Sequence, residues 1–265
     1  MRQIGIIGLG NMGEALLRTL LSSQVQKEQV ICAESKTDRA DFIRKTYEVD
    51  FTAPVQVVSE AHKTIIAVKP QDAEGLLRAI SPSVEDSKLL ISIMAGITTS
   101  SILSMLGKPA KVVRVMPNIC VQVAEGAMGI SPNYHVTAEE IHEVGQLLKP
   151  LGTVVEVSEG LMDAVTALGG SGPAFVLHFL EALIDAGVRM GLPRDKSRLL
   201  AAQTIKGTMK MLEVEGMHPT LMKEMVTSPG GTTIAGLIYL EEEGFKGKLV
   251  RALEEARNRA GELSK

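Results

Sequence analysis

The chain has 265 residues, 45% of them apolar, enough for two domains with substantial cores. Lys and Arg number 28 against 31 Asp and Glu, aromatic residues make up 3% and Trp is absent, so the basic surplus and stacking side chains of a nucleic-acid binder are missing. The two cysteines, Cys32 and Cys120, lie in apolar runs and make no disulfide framework, and no run of 18 or more apolar residues marks a membrane span.

The opening ‘MRQIGIIGLG’ enters a strand at once and carries no secretory leader, so a cytoplasmic location is expected. In chain order the predicted strands are ‘QIGIIG’ from Gln3, ‘QVICAE’ from Gln29, ‘KTIIAVK’ from Lys63, ‘KLLISIM’ from Lys88 and ‘KVVRVMP’ from Lys111. Helix-length segments such as ‘NMGEALLRTLLSS’ and ‘QDAEGLLRAI’ separate them. Continuous rather than alternating apolar runs imply burial on both faces, hence a mostly parallel sheet covered by helices. ‘GAMGIS’ and ‘TVVEVS’ are expected to extend that sheet at one edge. From Leu161 onward the pattern is purely helical. In ‘PAFVLHFLEALIDAGVRMG’ the residues Phe175, Phe179, Leu183 and Ala186 recur at helical spacing, with Val176, Leu180 and Ile184 widening the apolar surface until burial all round is expected. A second helix is opened by Pro193 in its first turn, and ‘KGKLVRALEEARNRAGELSK’ closes the chain as a mixed-charge amphipathic helix. Two domains follow, 1–159 and 160–265.

‘IGIIGLGNMGEALL’ holds Gly8, Gly10 and Gly13 in the spacing G-x-G-x-x-G, after a strand and at the start of a helix. That context turns a weak pattern into a dinucleotide site. Gly8 allows the tight turn, Gly10 the approach of the pyrophosphate and Gly13 the packing of helix on strand, while the helix start offers unpaired amides to phosphate. The first domain is therefore expected to be an α/β Rossmann-type fold. Which dinucleotide stays open. Glu34, 21 residues beyond Gly13, suits the ribose of NAD; Ser35, Lys36 and Arg39 beside it suit the 2′-phosphate of NADP, or form a solvated turn. No set of metal ligands is assigned.

A hydroxy-acid dehydrogenase needs an acid/base group after the glycine-rich turn that begins the second domain. After ‘GGSGPAFVLHFLEAL’ no lysine occurs in that place; His178 is the nearest titratable base, on an apolar helix face. Instead, ‘DAVTALGGSGPAF’ from Asp163, ‘GLPRDKSRLLAAQTIKGTMKML’ from Gly191 and ‘VTSPGGTTIAGLIYLEEEGF’ from Val226 resemble the C-terminal signatures of the pyrroline-5-carboxylate reductase family. ‘AVKPQ’ from Ala67, ‘MAGIT’ from Met94 and ‘RVMPN’ from Arg114 resemble its nucleotide-domain motifs. The similarity runs in order over nearly the whole chain.

The resemblance implies hydride transfer from NAD(P)H to a cyclic imine carboxylate, giving L-proline. It implies Thr233 as the hydroxyl at the ring nitrogen, and Ser228 with the Gly230, Gly231 and Thr232 backbone as the carboxylate site. On the residues alone, Thr232 or Thr233 would also cap the following helix. By the same resemblance Ile7, Gly8, Leu9, Gly10, Asn11, Met12 and Gly13 line the pyrophosphate, and Ser35 and Lys36 the adenosine ribose or its phosphate. Val68, Lys69 and Pro70 lie along the cofactor, Ala95, Gly96 and Asn118 near the nicotinamide, and Ser171 and Gly172 beside the substrate. The family forms dimers through an all-α C-terminal domain, and rings of dimers. Four positions depart from its pattern: Ile119 and Cys120 stand where Thr-Pro is usual, Gly169 where serine is usual, and Phe175 where tyrosine is common. A reductase of a related imine acid and a non-catalytic nucleotide sensor are the alternatives.

Overall fold

The structure, a computed structural model, describes residues 2–23 and 25–263. Its first compact unit runs to Ser171 and takes in the C-terminal residues from Ala256 onward; the second is Gly172–Glu255. The expected boundary at 159/160 precedes this division.

In the first unit strands and helices alternate: β1 (Arg2–Ile7), α1 (Asn11–Ser23), β2 (Val30–Ala33), α2 (Thr37–Tyr47), β3 (Asp50–Phe51), α3 (Pro54–Glu60), β4 (Ala61–Ile66), α4 (Ala73–Ile80), β5 (Leu89–Ser92), α5 (Thr99–Leu106), β6 (Lys111–Met116), β7 (Gly126–Pro132), α6 (Ala138–Leu148) and β8 (Gly152–Glu156). They build one sheet in the order β3-β2-β1-β4-β5-β6-β7-β8. Every pair is parallel except β6 with β7. β7 and β8 extend one edge, as their sequences suggest; β3, only two residues long, carries no periodicity and was not foreseen.

Side chains alternate between the two faces of the sheet. Ile6, Cys32, Ile65, Ile91 and Val113 join Leu16, Leu17 and Leu20 of α1 and Val144 and Leu148 of α6 in one core. Their strand neighbours Ile7, Ile31, Ile66, Leu90 and Val112 join Val57 of α3, Leu77 of α4 and Ile102 of α5 in the other. β2 and β5 are buried at every position, which is why their sequences read as unbroken apolar runs. Thr98 caps α5 by accepting from the Ser101 amide, and Thr137 with Glu140 forms a reciprocal capping box on α6.

After β8 come α7 (Met162–Val165), which runs into a π-helical turn over Thr166–Gly170, then α8 (Gly172–Arg189), α9 (Arg194–Glu215), α10 (Pro219–Met225), α11 (Thr232–Glu242) and α12 (Phe245–Leu263). Pro193 stands just before α9 as its cap rather than in its first turn. α8 and α9 cross closely. A Cβ on Gly187 would meet Ser197 Oγ at 2.1 Å, and that hydroxyl donates to the Ile184 carbonyl at 2.7 Å. The expectation that α8 is buried all round fails for the single chain: Gly187 is its one buried residue, and Val176 and Leu177 are more than half exposed.

Candidate active site

The turn after β1 needs its three glycines for three different reasons. Gly8 has φ +94°, and a Cβ on it would lie 2.8 Å from the Ala67 backbone. A Cβ on Gly13 would lie 2.0 Å from the Gly8 carbonyl oxygen, so α1 starts against the turn only because it is absent. Beside Gly10 an added Cβ would meet no atom within 4 Å. Packing does not demand that glycine, and the open space is the cradle a pyrophosphate takes. The amides of Asn11, Met12 and Gly13 have no acceptor among the described residues and stand at the positive end of α1. A dinucleotide fits these residues.

Around this turn the parallel strands bring the other expected positions to their C-terminal ends, where β2 and β4 flank β1 and the strand order reverses. The Ala67 amide donates to the Ile7 carbonyl at 2.8 Å, setting Val68, Lys69 and Pro70 beside Gly8; the Ile93 amide donates to Ile66 at 3.0 Å, setting Ala95 and Gly96 (φ +74°) next in line. The Ile7 and Leu9 side chains are buried in the two cores rather than facing the turn.

The Leu9 peptide is gripped from both sides. Glu34 Oε2 accepts its amide at 2.7 Å, and Arg39 Nε donates to its carbonyl at 2.6 Å. Glu34 Oε1 also takes the Lys36 amide at 3.0 Å and the Ser35 hydroxyl at 3.3 Å. Arg39 pairs further with Glu14, which accepts the Tyr47 hydroxyl at 2.8 Å, and lies over the Phe42 ring. Partial burial pushes the Glu14 carboxyl up, but Tyr47 and Arg39 outweigh it and leave its pKa below the ordinary value. Arg39 is thus part of the scaffold, not a free cation of the ribose turn. Sequence reasoning missed this network, because its members lie 25 to 33 residues apart.

Asn118 is 7% exposed and its side chain is spent on the protein. Its oxygen accepts the Cys120 and Ala127 amides at 3.1 and 3.3 Å, and its nitrogen donates to the Gly169 carbonyl at 3.0 Å. Two of the unusual positions, Cys120 and Gly169, therefore meet at one asparagine. Gly169 is not required by packing, since a Cβ there would lie an ordinary 3.6 Å from Ala127 O. Nearby, Arg114 inside β6 is 3% exposed and pairs with Glu159 at 2.8 Å, whose other oxygen takes the Thr99 hydroxyl at 2.8 Å. Ser171 closes the π-helical turn, its amide donating to Thr166 O at 2.8 Å. Burial, with Asp50 nearby, pushes the Cys32 thiol up to about 12, so it stays inert at neutral pH.

The helical unit carries the other expected cluster. The Gly231 amide donates to Ser228 O at 3.1 Å, closing a turn in which Gly230 has φ +66°. Gly231, not Thr232 or Thr233, caps α11, and no side chain closes that cap. The capping role expected of the threonines is thus corrected. The backbone makes the turn itself, because a Cβ on Gly231 would strike Ser228 Oγ at 2.3 Å. Among the described residues, the hydroxyls of Ser228, Thr232 and Thr233 have no partner, and the Thr232, Thr233 and Ile234 amides have no acceptor. Three donors and three free hydroxyls at a positive helix end have the polarity that suits a small carboxylate.

Residues 159–263 match the family model for pyrroline-5-carboxylate reductase dimerisation, and residues 3–96 that for coenzyme F420-dependent NADP oxidoreductases. A pyrroline-5-carboxylate reductase of Methanosarcina acetivorans is 40% identical over 100% of this chain and 98% of its own length. The chain belongs to the pyrroline-5-carboxylate reductase family. Pyrroline-5-carboxylate reductase 3 of Rattus norvegicus is 38% identical over 100% of the chain and 97% of its own. Among solved structures, the Coxiella burnetii reductase superposes with a TM-score of 0.95 at 31% identity, covering 100% of this chain and 99% of that one. The Plasmodium falciparum reductase, solved with NADP bound, gives 0.86 at 33%, covering 100% and 98%. Residues 159–189 form a helical stretch long and apolar enough to cross a membrane by composition, yet they fall within the matched dimerisation segment. A surface hollow of about 850 Å³ between β7, β8 and α6 includes none of the expected site residues.

Proposed function

We propose that the chain reduces 1-pyrroline-5-carboxylate to L-proline with NAD(P)H, the last step of proline biosynthesis. The observation that carries this reading is the 228–233 turn, with its unpaired amides and hydroxyls, in a chain of this family. Residues 1–159 bind the dinucleotide and residues 160–265 the substrate. The bound cofactor supplies a hydride to the imine carbon. The Gly230, Gly231 and Thr232 backbone and the Ser228 hydroxyl hold the substrate carboxylate, while the Thr233 hydroxyl accepts from the protonated ring nitrogen and then donates to the lone pair that the nitrogen gains as the imine is reduced. A protonated imine is already electrophilic, so orientation and support of the nitrogen suffice; no strong general base is needed. The secondary amine formed takes up a second proton from solvent, as such amines do at neutral pH. Ser171 and Gly172 line the substrate, and Asn118 acts by bracing Gly169.

Copies of the chain join through the helical unit into a homo-oligomer, a homodimer or a ring of dimers, and two free cysteines accord with a cytoplasmic setting. A related imine acid is a second reading, favoured by the side-chain-free Gly169 beside Asn118. Expression in a bacterium unable to make proline tests the proposal. The chain should restore growth without proline, and Gly10→Val, which fills the pyrophosphate cradle, should not. Failure of the folded wild-type chain to restore growth contradicts it.

A further inference from the structure

We propose that Glu34 makes this chain prefer NADH to NADPH. The inference rests on the glycine turn being a dinucleotide site, and names which dinucleotide that site takes. In such folds the acidic residue just past the second strand accepts a hydrogen bond from the ribose 2′-hydroxyl, whereas a 2′-phosphate needs a cation there. Glu34 directly follows the last residues of β2, and its carboxylate is not free to swing away. Oε2 is anchored by the Leu9 amide at 2.7 Å and Oε1 by the Lys36 amide at 3.0 Å. Withdrawing it would strand the amide of a fully buried residue in the turn that shapes the pyrophosphate site. Held in place, Oε2 accepts one bond and retains a lone pair for a ribose hydroxyl.

The cations that would offset it are largely spoken for. Arg39, the strongest candidate for a 2′-phosphate, is committed to Leu9 O and to Glu14, and is backed by Phe42. Lys36 is left, exposed to solvent, against Glu34 and the exposed Asp38. An incoming phosphate carries roughly −1.5 to −2 charge at neutral pH. It therefore meets a fixed carboxylate and one solvated ammonium, an unfavourable balance; an uncharged 2′-hydroxyl meets a ready acceptor.

Equilibrium binding of NADH and of NADPH to the full chain tests this, read by nicotinamide fluorescence, which no Trp in this sequence overlaps. NADH should bind about tenfold tighter or better, the scale of one hydrogen bond to a charged group. Glu34→Gln keeps a carbonyl for the Leu9 amide while removing the charge, and should move the NADH-to-NADPH ratio about tenfold toward NADPH. A folding defect would weaken both ligands alike and leave the ratio where it was, so the ratio isolates the charge. Equal or tighter binding of NADPH by the wild-type chain overturns the proposal and leaves the dinucleotide site intact. A ratio unmoved by Glu34→Gln overturns Glu34 as its cause. Binding of neither dinucleotide overturns the site itself, and the proposal with it.

Discussion

In the proposed reaction Thr233 is the side chain that meets the ring nitrogen. Its hydroxyl has no partner among the described residues, and Gly231 has taken over the cap that a threonine would ordinarily close. A free donor at a helix start is available to a developing amine without first breaking an internal bond. Thr233→Ala should therefore lower kcat about a hundredfold, the scale of one lost transition-state donor, while cofactor affinity holds within about twofold. Thr233→Ser should recover most of the loss. Steady-state kinetics beside dinucleotide titration checks this; an equal fall in kcat and cofactor affinity would point to a misfolded helical unit instead.

At the scale of elements, β6 and the loop after it are tied to the segment before α8 by two struts, Arg114–Glu159 with Thr99, and Asn118–Gly169. The first leaves a guanidinium buried if its carboxylate is lost. Glu159→Gln should cost about 2 kcal/mol or more, between the exposed and fully buried limits for an ion pair. Urea unfolding would show it as a lower midpoint at unchanged slope; a change under about 0.5 kcal/mol would mean that Arg114 finds other partners. What the sequence discloses at this scale follows from the range of each interaction. The strands of the first unit were legible because continuous apolar runs such as ‘VICA’ and ‘LLIS’ can only be buried on both faces. The glycine turn was legible because its spacing is local. Arg39 was not: it looks like a solvated turn residue until β2 is laid beside β1 and its guanidinium reaches Leu9. The threonine caps were misjudged because one residue of register moves a cap from Thr232 to Gly231, and composition does not fix register.

At the scale of the whole molecule, the broad apolar surface of α8 fits an internal core helix and a dimer interface equally well when read from sequence. Periodicity reports that a face is buried, not by whom. Leu177, Leu199 and Leu200 of the helical unit are all more than half exposed in the single chain, a density that an isolated domain does not leave to water. A second copy accounts for it, and membership in a family whose model for residues 159–263 describes dimerisation supplies that copy. The most direct test is the absorbance of the reduced nicotinamide after pyrroline-5-carboxylate is added to the purified full chain. The expected result is a decay matched mole for mole by L-proline. A folded chain that binds the dinucleotide yet leaves the absorbance unchanged in the presence of that imine would contradict the assignment.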